Sequence, residues 1–293
     1  MIRKDCPVVC FLIPLHVVNT LCEEITAFLR QCGFEYELLD RMGQEVIFVR
    51  CGGVESSVVR CIVPQEVCAE SQSEAQEQAE QLRLLLQSLE DDVLEAIVIT
   101  EDRWRKQGDM MRARLLAHLE RFTSLYARNC KVQKIDKETA AAFLEQNHSY
   151  GDAACRYRYG LYRNDSEDGV LVAVATFSNA RKWQKGDKRI RSYEWTRYAS
   201  LPGVRISGGM GKMLKAFIKD VQPDDIMSYA DLEWSEGRVY EQLGFVLEGK
   251  KDPVMFVVDG QWRRFPVKPG MTGDRFFQNL GSNKYRLKLT PYE

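Results

Sequence analysis

Between residues 16 and 32 apolar side chains recur at Val18, Leu21, Cys22, Ile25, Phe28 and Leu29, the spacing of one helix face, and Gly33 ends the run. Three β-branched or aromatic runs follow, FEYELLD (34–40), EVIFVRC (45–51) and SVVRCIV (57–63), separated by the turn-forming stretches RMGQ and GGVES. They predict a three-stranded meander. Residues 69–90, rich in Glu, Gln and Leu with the leucines on one side, predict a helix; LEAIVIT (94–100) predicts a strand, and 102–125 a second amphipathic helix.

From residue 131 the order changes. KVQKID reads as a strand, and Lys137 to Asn147 as a helix with Ala140, Ala141, Phe143 and Leu144 on its apolar side. CRYRYGLYR and VLVAVATFS are strands joined by the polar turn NDSEDG, and SYEWTRYASL is a fourth strand. RISGGMGKMLK (205–215) then packs three glycines and a serine into five positions ahead of the helix KMLKAFIKDV. The strand DIMSYADL, the helix SEGRVYEQL and the strands FVLEGK and VMFVVDG (254–260) complete the series. The pattern predicts an α/β (α+β) protein of two domains, 1–128 with a small sheet and 129–293 with a mixed sheet carrying helices on both faces.

Composition adds little to this, but charge does. The net charge of −1 conceals 14 Lys+Arg against 21 Asp+Glu in residues 1–130 and 27 against 21 in 131–293, so the second half is the one suited to an anionic partner. Nine cysteines, an odd number with several inside apolar runs, read as small hydrophobes of a reduced, cytoplasmic protein. The N-terminal MIRKDCPVVCFLIPLHVV imitates a signal peptide, yet Asp5, Pro14 and His16 break the imitation. No stretch approaches the roughly 18–20 apolar residues that span a bilayer. No C-x-x-C pair and three histidines leave little material for a zinc site, and no metal is expected.

Helix, three strands, helix, strand is the outline of the restriction-endonuclease-like core, and residues 1–128 resemble it. The Asp and Glu-x-Lys that such nucleases place on the second and third strands to hold Mg²⁺ are missing: Arg60 stands where the lysine would be, and Val58 two positions earlier. The resemblance implies a degenerate nuclease. ITEDRWRKQGDMMRARLLAHL, LYARNCKVQKI and the closing FFQNLGSNKYRLKL are similar to segments of phage-borne, very-short-patch-repair-like endonucleases with an extra C-terminal domain.

The element order of 129–293 resembles the GNAT superfamily of N-acetyltransferases. RISGGMG stands where that family has its pyrophosphate loop, commonly Q/R-x-x-G-x-G/A, and RVYEQLGF (238–245) is similar to its A-x-x-LYEKLGF. Backbone N–H groups at a helix start favour phosphate, and glycine lets it approach. The resemblance implies an acyl-CoA cofactor, acetyl-CoA in the first instance, at Arg205, Ser207, Gly208, Gly209, Met210, Gly211 and Lys212, with Met210 out of the usual register. It places the thioester along Tyr198, Ala199 and Ser200, whose backbone N–H stabilises the oxyanion, and makes Tyr240 the acid that protonates the departing thiolate. Glu194, Asp231 and His148 are the candidate bases.

SYADLEWSEGRVYEQLGF is also similar to the S-[FY]-A-D…G-x-I-Y segment of the phage Mom proteins, GNAT-like enzymes that modify adenine in DNA. Ser228, Asp231, Gly237 and Tyr240 carry the match, and Asp231 becomes a candidate for holding an amine or exocyclic base nitrogen; the plainer reading is a helix-cap or turn residue. RKWQKGDKRIR (181–191) supplies Arg181, Lys182, Trp183, Lys185, Lys188, Arg189 and Arg191 as a nucleic-acid surface, which Trp262, Arg263 and Arg264 extend. Two functions remain open: an acyl-CoA-dependent N-acyltransferase acting on a nucleic-acid base or other amine, and a non-catalytic DNA-binding accessory protein of a phage or mobile element.

Overall fold

The computed structural model describes residues 20–51, 58–89, 95–164, 169–235 and 237–291. The signal-like N-terminal run and most of the NDSEDG turn lie outside them.

In the first unit α1 (Thr20–Gln31) precedes β1 (Tyr36–Arg41), β2 (Gln44–Cys51) and β3 (Val58–Gln65), and α2 (Gln72–Leu89) crosses over to β4 (Glu95–Thr100). The sheet runs β1-β2-β3-β4, antiparallel except for the parallel β3/β4 pair. Strand alternation sorts its side chains to two buried faces. Ile47, Val49, Ile62, Ile97 and Ile99 pack on Leu21, Ile25 and Leu29 of α1, while Val46, Cys61, Val63 and Val98 pack on Leu82, Leu85 and Leu89 of α2. A sheet covered on both sides explains the unbroken apolar runs in its strands.

The single helix expected over 102–125 is two, α3 (Glu101–Lys106) and α4 (Gly108–His118), followed by β5 (Thr123–Tyr126). Gln107 leaves the helical region at φ −126° and ψ 36°, directly before Gly108, a weak helix former.

In the second unit β6 (Cys130–Lys134), α5 (Lys137–Asn147), β7 (Tyr157–Arg163), β8 (Val170–Phe177), β9 (Arg181–Lys185) and β10 (Lys188–Ser200) lead to β11 (Val204–Ser207) and α6 (Gly209–Val221). Then come β12 (Asp225–Asp231), the single turn α7 (Arg238–Gln242), β13 (Val246–Lys251), β14 (Met255–Val258), β15 (Arg264–Pro266), β16 (Phe276–Gln278) and β17 (Ser282–Lys288). The main sheet is ordered β13-β17-β12-β10-β8-β7-β6, with α6 and α5 on opposite faces. Phe217 of α6 stacks on Phe177 at 3.9 Å between centroids. The mixed α/β class predicted from the pattern is therefore the architecture found.

One strand was misplaced by the pattern. VMFVVDG supplies β14, which belongs to a separate sheet β15-β14-β16, and the strand that completes the main sheet is β17, antiparallel between β12 and β13. The small sheet packs on the first unit: Val257 and Phe276 meet Ala69 and Ala75, and Phe256, Val258 and Phe277 meet Val67. Leu232 and Leu280 join the α2 side of the first core, Trp234 joins the α1 side, and Val98 N–H donates to Glu233 O at 2.8 Å. Two segments of the second unit thus carry its contact with the first.

Buried charge fastens the same junction. Arg103, 5% exposed, contacts Asp231 at 3.4 Å and Glu233 at 3.1 Å; Arg264 grips Asp102 at 2.5 and 2.9 Å and donates to Thr100 Oγ1 at 2.7 Å. Arg264 was expected on a nucleic-acid surface, and its burial rules that out. Burial alone would raise the Asp102 pKa, but Arg264 more than offsets it and the value ends lowered. Its share of stability is accordingly present above the ordinary carboxylate range and lost as pH falls through the lowered value. Arg264→Met leaves Asp102 buried without its partner and is expected to cost about 3–5 kcal/mol in urea denaturation at pH 7.

Candidate functional site

β10 and β12 run parallel but pair only over Ser192–Glu194 with Asp225–Met227. Beyond that point β10 stays with β8, after a bulge between Trp195 and Arg197 that makes Thr196 the extra residue. Thr196 Oγ1 bonds Thr176 Oγ1 at 2.8 Å, and Ser228 Oγ donates to Trp195 O at 3.0 Å, bridging the vertex where the strands part. Leu201 N–H donates to Val172 O in β8, so by strand alternation the N–H groups of Tyr198 and Ser200 face away from β8, into the gap. The gap opens on a cavity of about 820 Å³, within the size range of small-molecule sites. Its walls come from β10, β12 and α7, and also from Met110, Ala113 and Arg114 of α4 in the first unit.

At the gap's edge, the glycine-rich stretch is both a turn and a helix start. Gly208 takes φ 76°, a left-handed conformation that favours glycine, and caps α6. Lys212 N–H bonds Gly208 O at 3.0 Å, so the N–H groups of Gly209, Met210 and Gly211 have no acceptor inside the helix. A Cβ on Gly209 would stand 2.9 Å from Ile206 Cγ2 and 3.0 Å from Tyr198 Oη; one on Gly211 would stand 3.2 Å from Leu243 Cδ2. Met210 lines the cavity. Arg205 lies over Phe122 at 5.1 Å, and Ser207 is exposed at the end of β11. Lys212 departs from expectation, because its Nζ donates to the carbonyl oxygens of Ala127 and Cys130 and is spent on the fold.

The four candidate acid and base residues all line the cavity, in different states. Tyr240 stacks on Tyr285 at 5.4 Å and its hydroxyl is hydrogen-bonded to Ser228 Oγ at 2.8 Å. Burial raises its pKa, so the proton stays on. Glu194 is half-buried on β10, one residue before the bulge. Asp231 accepts from Tyr150 Oη at 2.9 Å, from Glu233 N–H at 3.0 Å and from Arg103. Burial would raise its pKa, but Arg103, the Glu233 amide, Tyr150 and Arg114 together lower it. A carboxylate so held is a weak base, and the turn-residue reading of Asp231 describes its backbone contacts.

His148 does not fit the role of base. Its Nδ1 accepts from Tyr150 N–H at 3.1 Å, which puts the ring proton on Nε2 and leaves no free lone pair. Burial first, then Arg197, Arg114 and Arg103, push its pKa down to about 3.

The basic stretch 181–191 is the β9/β10 hairpin, whose residues point to two faces. Lys182 and Arg191 pair across one face; Trp183 stands opposite buried Ile190 on the other. Arg191 is held by Asp224 at 3.5 Å and Lys188 by Pro291 O at 3.1 Å, while Arg189 is exposed. Arg181 lines the cavity, and the Lys185 side chain lies outside the described residues. Arg263 pairs with Asp259 at 2.7 Å, and Trp262 carries Arg275 at 4.0 Å. The sequence reading missed Arg103, Arg114, Ser149, Tyr150, Arg197 and Trp234, whose spacing in the chain gives no sign that they converge.

No family model matches the chain, and no curated protein matches it. Among solved structures it is similar to ribosomal-protein-S5-alanine acetyltransferase from Vibrio fischeri, at 10% identity over 56% of this chain and 96% of that one, with a TM-score of 0.34. It is similar to Arabidopsis thaliana NAA60 in complex with a bisubstrate analogue, at 10% identity over 55% and 99%, TM-score 0.36. It is also similar to aminoglycoside N(6')acetyltransferase from Legionella pneumophila, at 12% identity over 55% and 92%, TM-score 0.32. At this identity and score the likeness decides nothing about activity, which has to be read from this chain's own side chains.

The His148 geometry is checkable. Its ring resonances are expected not to titrate between pH 5 and 8, and folding stability to fall as pH drops from 6.5 toward 3, because only the unfolded chain takes up the proton there. An NMR pH titration of the three histidines measures the first.

Proposed function

We propose that the chain is an acyl-CoA-dependent N-acyltransferase of GNAT type. The carrying observation is the parted parallel pair β10/β12, which opens a cavity beside outward N–H groups of Tyr198 and Ser200 and the start of α6, where no side chain caps the helix. These groups suit the ligand: the N–H groups of Gly209, Met210 and Gly211 offer an anion site at a helix N-terminus, and Gly208 provides the turn that exposes them. A bound CoA thioester supplies the activated acyl group. Tyr198 and Ser200 N–H are placed to steady charge on a carbonyl oxygen in the gap. Tyr240 Oη keeps a proton available for a leaving sulfur, with Ser228 fixing its position. Glu194 is the base we favour for the acceptor amine, since Asp231 is neutralised and His148 has no lone pair to give.

For the acceptor we favour an exocyclic amine of a nucleic-acid base. The residues that resemble the Mom proteins support this: Ser228 bonds Tyr240, Tyr240 stacks on Tyr285, Gly237 lies where a Cβ would be 2.3 Å from the Tyr285 ring, and Asp231 lines the same cavity from the end of the strand that carries Ser228. The divided basic hairpin gives less support to a DNA-binding module without catalysis.

Acetyl-CoA is expected to raise the melting midpoint of the wild type and to leave Gly208→Val unmoved; no shift in the wild type at saturating ligand sinks the reading. With an amine panel and thiol release as readout, Tyr240→Phe and Glu194→Gln are each expected to lower turnover by roughly 10²-fold without weakening acetyl-CoA binding.

A further inference from the structure

Two guanidinium groups on the cavity wall have no part in the chemistry above. Arg114 comes from α4 in the first unit and Arg197 from β10 in the second, and both line the cavity. Arg114 lies over the Trp234 indole at 4.1 Å and donates to Ser149 Oγ at 3.2 Å. Arg197 donates to the carbonyl oxygens of Gly151 and Thr196 at 3.0 and 2.8 Å. Among the described residues neither forms an ion pair, whereas neighbouring Arg103 is paired with both Asp231 and Glu233. Glu194 is the carboxylate that acts most on Arg197, from beyond ion-pair distance.

At both groups burial outweighs carboxylates that stand beyond ion-pair distance. Burial, with Arg103 adding repulsion, pulls the Arg114 pKa down to about 10, and burial lowers that of Arg197. Both guanidinium groups are anchored on the short segment that follows His148, Arg114 at Ser149 Oγ and Arg197 at Gly151 O, and His148 lines the cavity beside them. A cation taken out of water without a partner is costly, and a bound anion removes the cost. The aromatic faces nearby do not offer a stacking platform, because Arg103 covers Tyr150 at 4.8 Å and Arg114 covers Trp234.

We propose that Arg114 and Arg197, with Ser149 Oγ and the Nε2–H of His148, form a seat for an oxyanion carried by the acyl acceptor, so that the first unit builds half of the acceptor site. Only the word acceptor rests on the acyltransferase reading; the oxyanion seat itself does not need CoA. Phosphate of a nucleotide and carboxylate of an amino-acid-like amine share the required chemistry, and Arg recognises either through paired N–H donors.

The test titrates inorganic phosphate and, separately, acetate into the full chain without CoA, following tryptophan fluorescence, in wild type, Arg114→Met, Arg197→Met and Gly208→Glu. The expected result is saturable binding that weakens at least about tenfold in both arginine variants and persists in Gly208→Glu, which disables the helix start instead. Melting midpoints recorded without anion establish that each variant is folded. Tighter phosphate binding marks a phosphorylated acceptor and tighter acetate a carboxylated one. Wild-type affinity retained in the two arginine variants, or no binding of either anion by the wild type, overturns the seat. If the seat binds anions while acetyl-CoA leaves the melting midpoint unchanged, the acyltransferase reading fails and the seat stands.

Discussion

The junction of the two units depends on a buried cluster of charge in which no member can be removed alone. Arg103 and Arg264 reach Glu233, which has no exposed surface, and each also holds a second carboxylate, Asp231 or Asp102. Burial dominates at Glu233 and raises its pKa, while at Asp102 and Asp231 the guanidinium groups win and the values fall. Ion pairs of this depth seldom add stability over a well-packed apolar core, but they tolerate few arrangements. Here the arrangement fixes where the end of β12 sits relative to α3 and α4, and hence the shape of the cavity between them.

That placement links the glycine-rich turn to the rest of the molecule. α6 starts beside a gap that exists only because β10 leaves β12 after three paired residues, and the departure is set by the bulge at Thr196. Ser228 then serves two ends, tying β12 to Trp195 O and orienting the Tyr240 hydroxyl. The site is therefore a property of the sheet's irregularity more than of any single motif.

Much of the fold was legible in the sequence because its strands are short, β-branched and bounded by glycine, and the helix read over Lys137 to Asn147 is α5 to the residue, with Asp136, read as the end of a strand, as its N-cap. Two features were not legible. Gly108 read as one weak residue inside a long amphipathic pattern, yet the helix breaks there, and Gln107 gains a bond to Ser149 O at 2.9 Å that no local pattern encodes. VMFVVDG read as a sheet strand, which it is, but which sheet it joins depends on Ala69 and Ala75, almost two hundred residues away. At the site, Gly208 and Tyr240 carried a local signature. Arg114 and Arg197 did not, since they come from α4 and β10, far apart in the chain, and are brought together by contacts with Ser149 and Gly151.

The position of β17 has a consequence for how the protein is made. It lies between β12 and β13, so both of those strands leave the ribosome before the one that joins them. Until residues 282–288 emerge, β12 and β13 each present an unpaired edge, and β13 carries exposed Val246 and Leu247. The chain between β13 and β17 is the part that supplies β14–β16 to the contact with the first unit. Closure of the main sheet is thus a late, long-range event, and the nascent chain has an interval in which open strand edges invite pairing with other chains.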